Sequence, residues 1–360
     1  MSSSATTPQI SAEMPNGEGN WFPENLTCIM DWIAAVTIQP RANPPAAVFD
    51  FDNTCIFRDI GQAVFRFQLQ RLQYRLIPEQ LAAILPHADI QLDGRPLPVI
   101  VATLVETYRT LFPLLIFGRN KQAARLPQAK LFTALLLWFT DQARKDDRLG
   151  PRFVLPFMAK LLAGFTTDEL RFFAIEVVQA AQSEALTEEW MQAEAPEPIG
   201  RIETSFPLGL HPYPEMLALM HKLAAQGVER YVISASAEWL VEGAVSWLGF
   251  PVPADHIYGI RVGLDSGEVL TIQDPSGYPV TYREGKAAII SHLLKDRPLL
   301  VAGDADTDYE MLTLPGAEIR LLINRRQSGL ISNLYTDPGI LLQGLDLANG
   351  RFRPSRETVG

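Results

Sequence analysis

Ala46-Ala47-Val48-Phe49 is a short apolar run that passes directly into carboxylates, in Asp50-Phe51-Asp52-Asn53-Thr54. Pro44 and Pro45 precede it. An apolar run bounded by prolines and polar residues predicts a strand buried on both faces, as in a parallel sheet. Two carboxylates leaving such a strand, two residues apart, are costly to desolvate unless they bind a cation or do chemistry. Read alone, the five residues fit a strand-end turn with solvated aspartates equally well.

Around that run the chain changes character twice. Upstream, Trp21 to Ile38 has helical spacing, broken by the prolines of Pro40–Pro45. From Asp59 to about Arg201, Leu, Ala, Gln, Arg and Phe dominate. Gly61–Leu76, Val99–Phe117, Ala129–Arg144, Arg152–Gly164 and Thr167–Ala185 read as amphipathic helices. Thr166 and Thr167 ahead of Asp168 and Glu169 predict a helix N-terminus. This block, residues 59–202, is expected to be all-helical. After Glu203 helical and strand patterns alternate. Tyr231–Ser234, Leu299–Ala302 and Ile319–Ile323 read as strands, and 213–226, 237–248, 284–294 and 309–314 as helices. Ile257–Tyr282 carries two turn signals and predicts a hairpin. Beyond Gly329 no motif is legible. The alternation predicts an α/β fold, a parallel sheet flanked by helices, its first strand separated from the others by the helical block. The expected division is a disordered tail at 1–20, a discontinuous core at 21–58 and 203–350, and the inserted block at 59–202.

Charge and composition narrow the function. The formal net charge is −10, and such a surface repels nucleic-acid backbones. Cys28 and Cys55 form no Cys-x-x-Cys pair, so neither a disulfide framework nor a zinc site is expected. The first residues lack both a basic start and an apolar run and do not read as a signal peptide. Glu106 and Arg109 interrupt the most apolar stretch, and each charge there would cost roughly 2.5–3.5 kcal/mol in a bilayer. A soluble, cytoplasmic chain with no membrane or nucleic-acid partner is expected.

Three further signals fall at or beside the carboxyl ends of expected strands, the edge where open α/β sheets bind ligands. Ser234 ends one strand, and its hydroxyl with the following N–H, that of Ala235, can hold phosphoryl oxygens; a helix cap is the plainer role. Lys286 opens a helix, where the dipole favours anions, so the cation there has a task or is simply solvated. Gly303-Asp304-Ala305-Asp306-Thr307-Asp308 places three acids in five positions after a buried strand, as a hard-cation site or an N-cap cluster does.

In this order, Asp-x-Asp-x-Thr, strand-Ser, Lys and Gly-Asp-x-x-x-Asp, the chain resembles the haloacid dehalogenase superfamily, over Ala46–Thr54 and about Glu203–Ile323. The resemblance implies a Rossmann-like core with the helical block as a cap domain. It implies a magnesium-dependent phosphatase with Asp50 as nucleophile and metal ligand, and Asp52 as general acid/base with its backbone carbonyl on the metal. Ser234 and Ala235 would bind the phosphoryl group, Lys286 would stabilise its charge, Asp304 would ligate magnesium, and Asp308 would support it. The block after the first motif and Ser234-Ala235-Ser236 look like the phosphoserine phosphatase-like branch, which includes phosphocholine phosphatases. A block of about 140 residues exceeds the phosphoserine phosphatase cap, and Asn53 and Thr307 depart from the usual Ser and Asn. Asp59 stands where that branch holds a substrate ammonium, though a helix cap fits it as well. The expected partner is a small phosphorylated metabolite. A phosphotransferase using the same aspartyl-phosphate and a non-catalytic binding protein are the alternatives.

Overall fold

Ala46–Phe49 form the first strand, β1, and all four side chains are fully buried. Its neighbours come from much later in the chain. The sheet continues with β2 (Glu229–Ala237), β3 (Ile257–Ile260), β4 (Leu299–Gly303), β5 (Ala317–Asn324), β6 (Leu341–Asp346) and β7 (Arg351–Phe352), in the spatial order β7-β6-β5-β4-β1-β2-β3. β1 pairs in parallel with both β4 and β2, with Phe49 opposite Ala302 on one side and Val232 on the other. β5 and β6 extend the parallel set and β7 closes it antiparallel. These facts come from a computed structural model that describes residues 19–38, 43–295 and 297–360. The expected disordered tail therefore lies outside the described residues apart from Gly19 and Asn20, as does part of the proline break at 40–45.

Helices flank this sheet. Pro214–Ala225 starts with proline at its first position, where no N–H is needed, and Gly227 beyond its end takes φ +74°. It packs on β2, as does Glu238–Leu248, which ends at Gly249. Pro23–Thr37 packs on β5 and β6, with the Trp32 indole donating to Glu318 at 2.7 Å. The strands expected at 231–234, 299–302 and 319–323 fall inside β2, β4 and β5. The expected helix at 309–314 is a single turn, Tyr309–Leu312, preceded by a 3₁₀ turn at Asp306–Asp308.

The chain forms two compact units, one from residues up to Asp59, Leu210–Gly259 and Thr281–Gly360, the other from Ile60–Gly209 and Ile260–Val280. The second unit is mostly helical. Leu97–Leu115 and Pro127–Lys145 pack together, and Tyr108, Phe132 and Tyr74 form an aromatic cluster with centroids 5.3–6.0 Å apart. Phe65, Phe67 and Trp138 are also buried within this unit, so these aromatics serve its core. Leu97–Leu115 is long and apolar enough to cross a membrane by length and composition, and a third of that window is buried. Thr166 caps Thr167–Gln182 as expected: its hydroxyl accepts from Glu169 N–H, and the Glu169 carboxylate accepts from Thr166 N–H at 2.9 Å.

Three expectations are corrected. The block is not all-helical, because Glu188–Glu194 pairs antiparallel with Arg201–Pro207 and a tiny hairpin joins Gln91–Leu92 to Arg95–Pro96. The signal was present: Ile202, Thr204 and Phe206 are buried in alternation along Arg201–Pro207. That pairing also moves the return to the first unit from residue 203 to Leu210. Residues 260–280, expected in the core, belong to the second unit. Their backbone bonds explain it, with Gly164 N–H donating to Leu270 and Thr167 N–H to Glu268.

Candidate active site

Parallel pairing gathers the site. Asp50 is the first residue past β1, and its N–H donates to Ala302 on β4 at 2.9 Å. Asp304 is the first residue past β4, so the two carboxylates leave adjacent strands at the same edge. The turn after Asp50 closes on itself. Asn53 takes φ +60°, a left-handed conformation that Asn tolerates better than most residues, and its N–H donates to Arg58 at 3.0 Å. Its side-chain oxygen accepts the Arg58 N–H in return. Thr54 is thereby placed with its hydroxyl 3.2 Å from both Asp50 Oδ2 and Asp304 Oδ1.

Asp308 is fixed from its own turn. Its Oδ2 accepts the N–H groups of Asp304 and Ala305, at 2.9 and 3.2 Å. Gly303 makes this approach feasible, since a Cβ there would lie 2.5 Å from Asp308 Cβ. Lys286, in the first turn of Glu284–Leu293, is fully buried, with Nζ 2.5 Å from Asp50 Oδ1 and 2.7 Å from Asp308 Oδ1. The Arg283 N–H donates to Thr307 at 2.9 Å, tying the start of the lysine's helix to the acidic turn.

Asp52 has separate company. Ser234 and Ser236, both on β2, donate hydroxyl bonds to its Oδ2 at 3.0 and 2.7 Å, and the Ser236 N–H donates to Ser234 Oγ. Ala235 lies between them, half-buried. Thus Asp50 and Asp52 after β1, Ser234 on β2, Lys286 in the first turn of its helix, and Asp304 and Asp308 after β4 are brought to one edge of the sheet. Asp59 stands apart, half-buried and near enough to Arg325 to support its positive charge.

Burial dominates the electrostatics. It pushes the Asp50 carboxyl well above the usual range, Asp308 adds to this, and Lys286 opposes it. Burial also raises Asp304, against the pull of Arg325. Burial pulls the Lys286 ammonium down, yet Asp308 and Asp50 more than offset it and its pKa is raised. The lysine is therefore held charged between two acids.

Single ligand oxygens of Asp50, Asp304 and Asp308 lie within 4.8 Å of one another. When ionised, Asp50, Asp304 and Asp308 face two cations, Lys286 and Arg325, which leaves one negative charge uncompensated. Hard oxygen donors and that charge deficit fit one divalent cation of the magnesium or calcium type. Asp308 is held by three donors, Lys286 and two backbone N–H groups, whereas Asp50 Oδ2 and Asp304 Oδ1 face the single proton of the Thr54 hydroxyl, so Asp50 and Asp304 are the better-placed direct ligands.

Two participants escaped the sequence reading. Ser236 was passed over for Ser234, although alternate residues of one strand share a face. Arg325, whose Nη1 lies 2.5 Å from Asp304 Oδ2, follows β5 directly. Its only signal was that position, at the carboxyl end of a strand neighbouring β4.

Comparison with known proteins agrees with this architecture. A family model described as haloacid dehalogenase-like hydrolase matches residues 102–313, a span that contains Ser234, Lys286, Asp304 and Asp308 and begins after Asp50. No curated protein matches the chain. Among solved structures, a conserved functionally unknown protein from Anaerococcus prevotii DSM 20548 is 22% identical, with a TM-score of 0.81 over 95% of this chain and 97% of that one. A phosphoserine phosphohydrolase-like protein from Francisella tularensis subsp. tularensis SCHU S4 is 13% identical, with a TM-score of 0.40 over 82% and 94% of the two chains. The first of these likenesses shows the fold.

Proposed function

The chain belongs to the haloacid dehalogenase-like hydrolase family, and we propose that it is a phosphatase that hydrolyses a small phosphomonoester through an aspartyl-phosphate on Asp50. The observation that carries this reading is the buried Lys286 ammonium shared by Asp50 and Asp308. A charged lysine in full burial beside a strand-end carboxylate has a clear use where negative charge gathers during phosphoryl transfer.

The chemistry is built from these residues. An Asp50 oxygen attacks phosphorus while the bond from phosphorus to the ester oxygen breaks. Asp52, carrying a proton, delivers it to the departing alkoxide. Asp52 then takes a proton from water, whose oxygen attacks phosphorus and displaces Asp50. Inorganic phosphate leaves and both carboxylates return to their starting state. Ser234 and Ser236 hold Asp52 by Oδ2, which orients the carboxyl for these proton transfers. The Ala235 N–H and the Ser234 hydroxyl, turned from Asp52 while Ser236 keeps its own bond there, are the assigned phosphoryl contacts, and Lys286 keeps Asp50 aimed and balances the developing charge. Magnesium, held by Asp50, Asp304 and the Asp52 backbone carbonyl with Asp308 in support, would supply neutralisation of the phosphoryl oxygens when bound.

The proposed substrate class is a small phosphorylated metabolite, including amine-bearing esters such as phosphoserine or phosphocholine. Asp59 is the residue assigned to an amine, and its carboxylate would then be shared between that ammonium and Arg325.

The test is phosphate release from p-nitrophenyl phosphate, phosphoserine, phosphocholine and phosphoethanolamine, with magnesium, with EDTA and with Asp50→Asn. Magnesium-dependent release lost in the variant supports the reading. Transfer to an added alcohol in preference to water would favour a phosphotransferase, and no turnover from a folded, magnesium-binding protein would contradict both.

A further inference from the structure

Asp304 uses its two oxygens differently. Oδ1 lies 3.2 Å from the Thr54 hydroxyl, which is itself 3.2 Å from Asp50 Oδ2. Oδ2 accepts from Arg325 Nη1 at 2.5 Å. The inner oxygen thus shares a neighbour with the nucleophile, while the outer one is tied to a guanidinium.

Arg325 is well placed for that hold. β5 runs parallel beside β4, with Leu322 opposite Gly303, so the first residue past β5 reaches the first residue past β4. The turn bearing Arg325 is itself pinned. Asn324 donates to Arg356 at 2.9 Å, accepts from the Arg326 N–H at 3.0 Å, and its carbonyl accepts from the Thr358 hydroxyl. Asp59 supports the guanidinium charge from nearby. Asp308 has comparable anchors in two backbone N–H groups and Lys286, whereas Asp304 depends on Arg325 for its only charged partner among the described residues.

A terminal carboxylate torsion is broad and roughly two-fold, so an unheld aspartate presents either oxygen. A charge-assisted bond to one oxygen removes that freedom. We propose that Arg325 is a positioning residue that, by holding Asp304 Oδ2, fixes the carboxylate so that Oδ1 is presented with Asp50 to a divalent cation. This rests on the hydrolase reading above and goes beyond it, since the motifs of the sequence do not include Arg325. The rival account makes Arg325 a competitor, an internal cation that the metal must displace.

The two accounts predict opposite signs. Removing a positioning residue weakens metal binding, and outer-shell partners of this kind typically contribute about 10–100-fold. Removing a competitor leaves more uncompensated negative charge and strengthens binding. Magnesium affinity of the full chain is measured by titration calorimetry for wild type, Arg325→Met and Arg325→Lys, with folding checked by circular dichroism. Arg325→Met is expected to bind magnesium at least tenfold more weakly, and Arg325→Lys, which retains one charged donor, to recover most of the loss. Equal or tighter binding by Arg325→Met overturns the proposal. If Arg325→Met does not fold, Arg325→Gln, which removes the charge and keeps a neutral donor, takes its place: weaker magnesium binding than wild type supports the proposal, and equal or tighter binding overturns it. Wild type that binds no magnesium overturns the hydrolase reading along with it, whereas wild-type binding with an unaffected Arg325→Met overturns only the role of Arg325.

Discussion

Lys286 Nζ and Asp50 Oδ1 are 2.5 Å apart, and the lysine side chain has no exposure to solvent. Because Asp308 is 2.7 Å away on the same ammonium, one buried cation organises two carboxylates from different segments. Breaking such a pair from one side leaves buried charge without a partner, which typically costs about 3–5 kcal/mol.

Lys286→Met is therefore expected to lose stability on that scale in urea unfolding, and to lose about 10²–10³-fold in kcat. Lys286→Arg should not restore either property, since a longer, planar guanidinium cannot take the point that Nζ occupies 2.5 and 2.7 Å from two carboxylates. A Lys286→Met protein with unchanged kcat would remove the lysine from the mechanism.

Gly303→Ala tests how closely the acidic turn is built. The added methyl would lie 2.5 Å from Asp308 Cβ and 2.8 Å from its Oδ2, so Asp308 must move and its bonds to Lys286 and the Asp304 N–H must lengthen. Overpacking of this kind costs about 1–3 kcal/mol, and kcat should fall together with the melting temperature. Unchanged melting and turnover would mean that the turn yields freely.

The carboxylates also set a pH dependence. Burial raises the folded pKa of Asp50 and of Asp304 above the unfolded aspartate value of about 3.9. The folded state then binds its protons more tightly than the unfolded chain. Its stabilising contribution is present at low pH and is lost as pH rises through the folded values. A divalent cation competes with those protons. The gain in melting temperature from magnesium over EDTA should accordingly be larger at pH 8 than at pH 5, and equal gains at both would contradict the assignment of these carboxylates as ligands.

The relation of sequence to structure is uneven, for physical reasons. Asp50, Asp304 and Asp308 were legible because each follows an apolar strand whose burial the composition makes plain, where acids stand out, and Lys286 because a cation opening a helix runs against the dipole. Ser236 and Arg325 carry no such contrast: a second serine and an arginine after a strand are ordinary, and only the β4–β5 register gives Arg325 its partner. β6 was hidden because Leu341-Leu342 is followed by Gln343 and Gly344. The structure buries Gln343 completely by giving its amide the carbonyls of Gly344 and Arg353. The Glu188–Glu194 strand was hidden because its acids face solvent, and the alternation lies in its partner, Arg201–Pro207.

The central claim is that Asp50 itself carries the phosphoryl group. The most direct measurement is acid quench of the enzyme during turnover of a phosphomonoester in magnesium, followed by mass spectrometry of the peptide containing Asp50. The account predicts a phosphoryl mass increment on that aspartate, absent in Asp50→Asn. Steady turnover with no increment on Asp50, or turnover that survives Asp50→Asn, would contradict it.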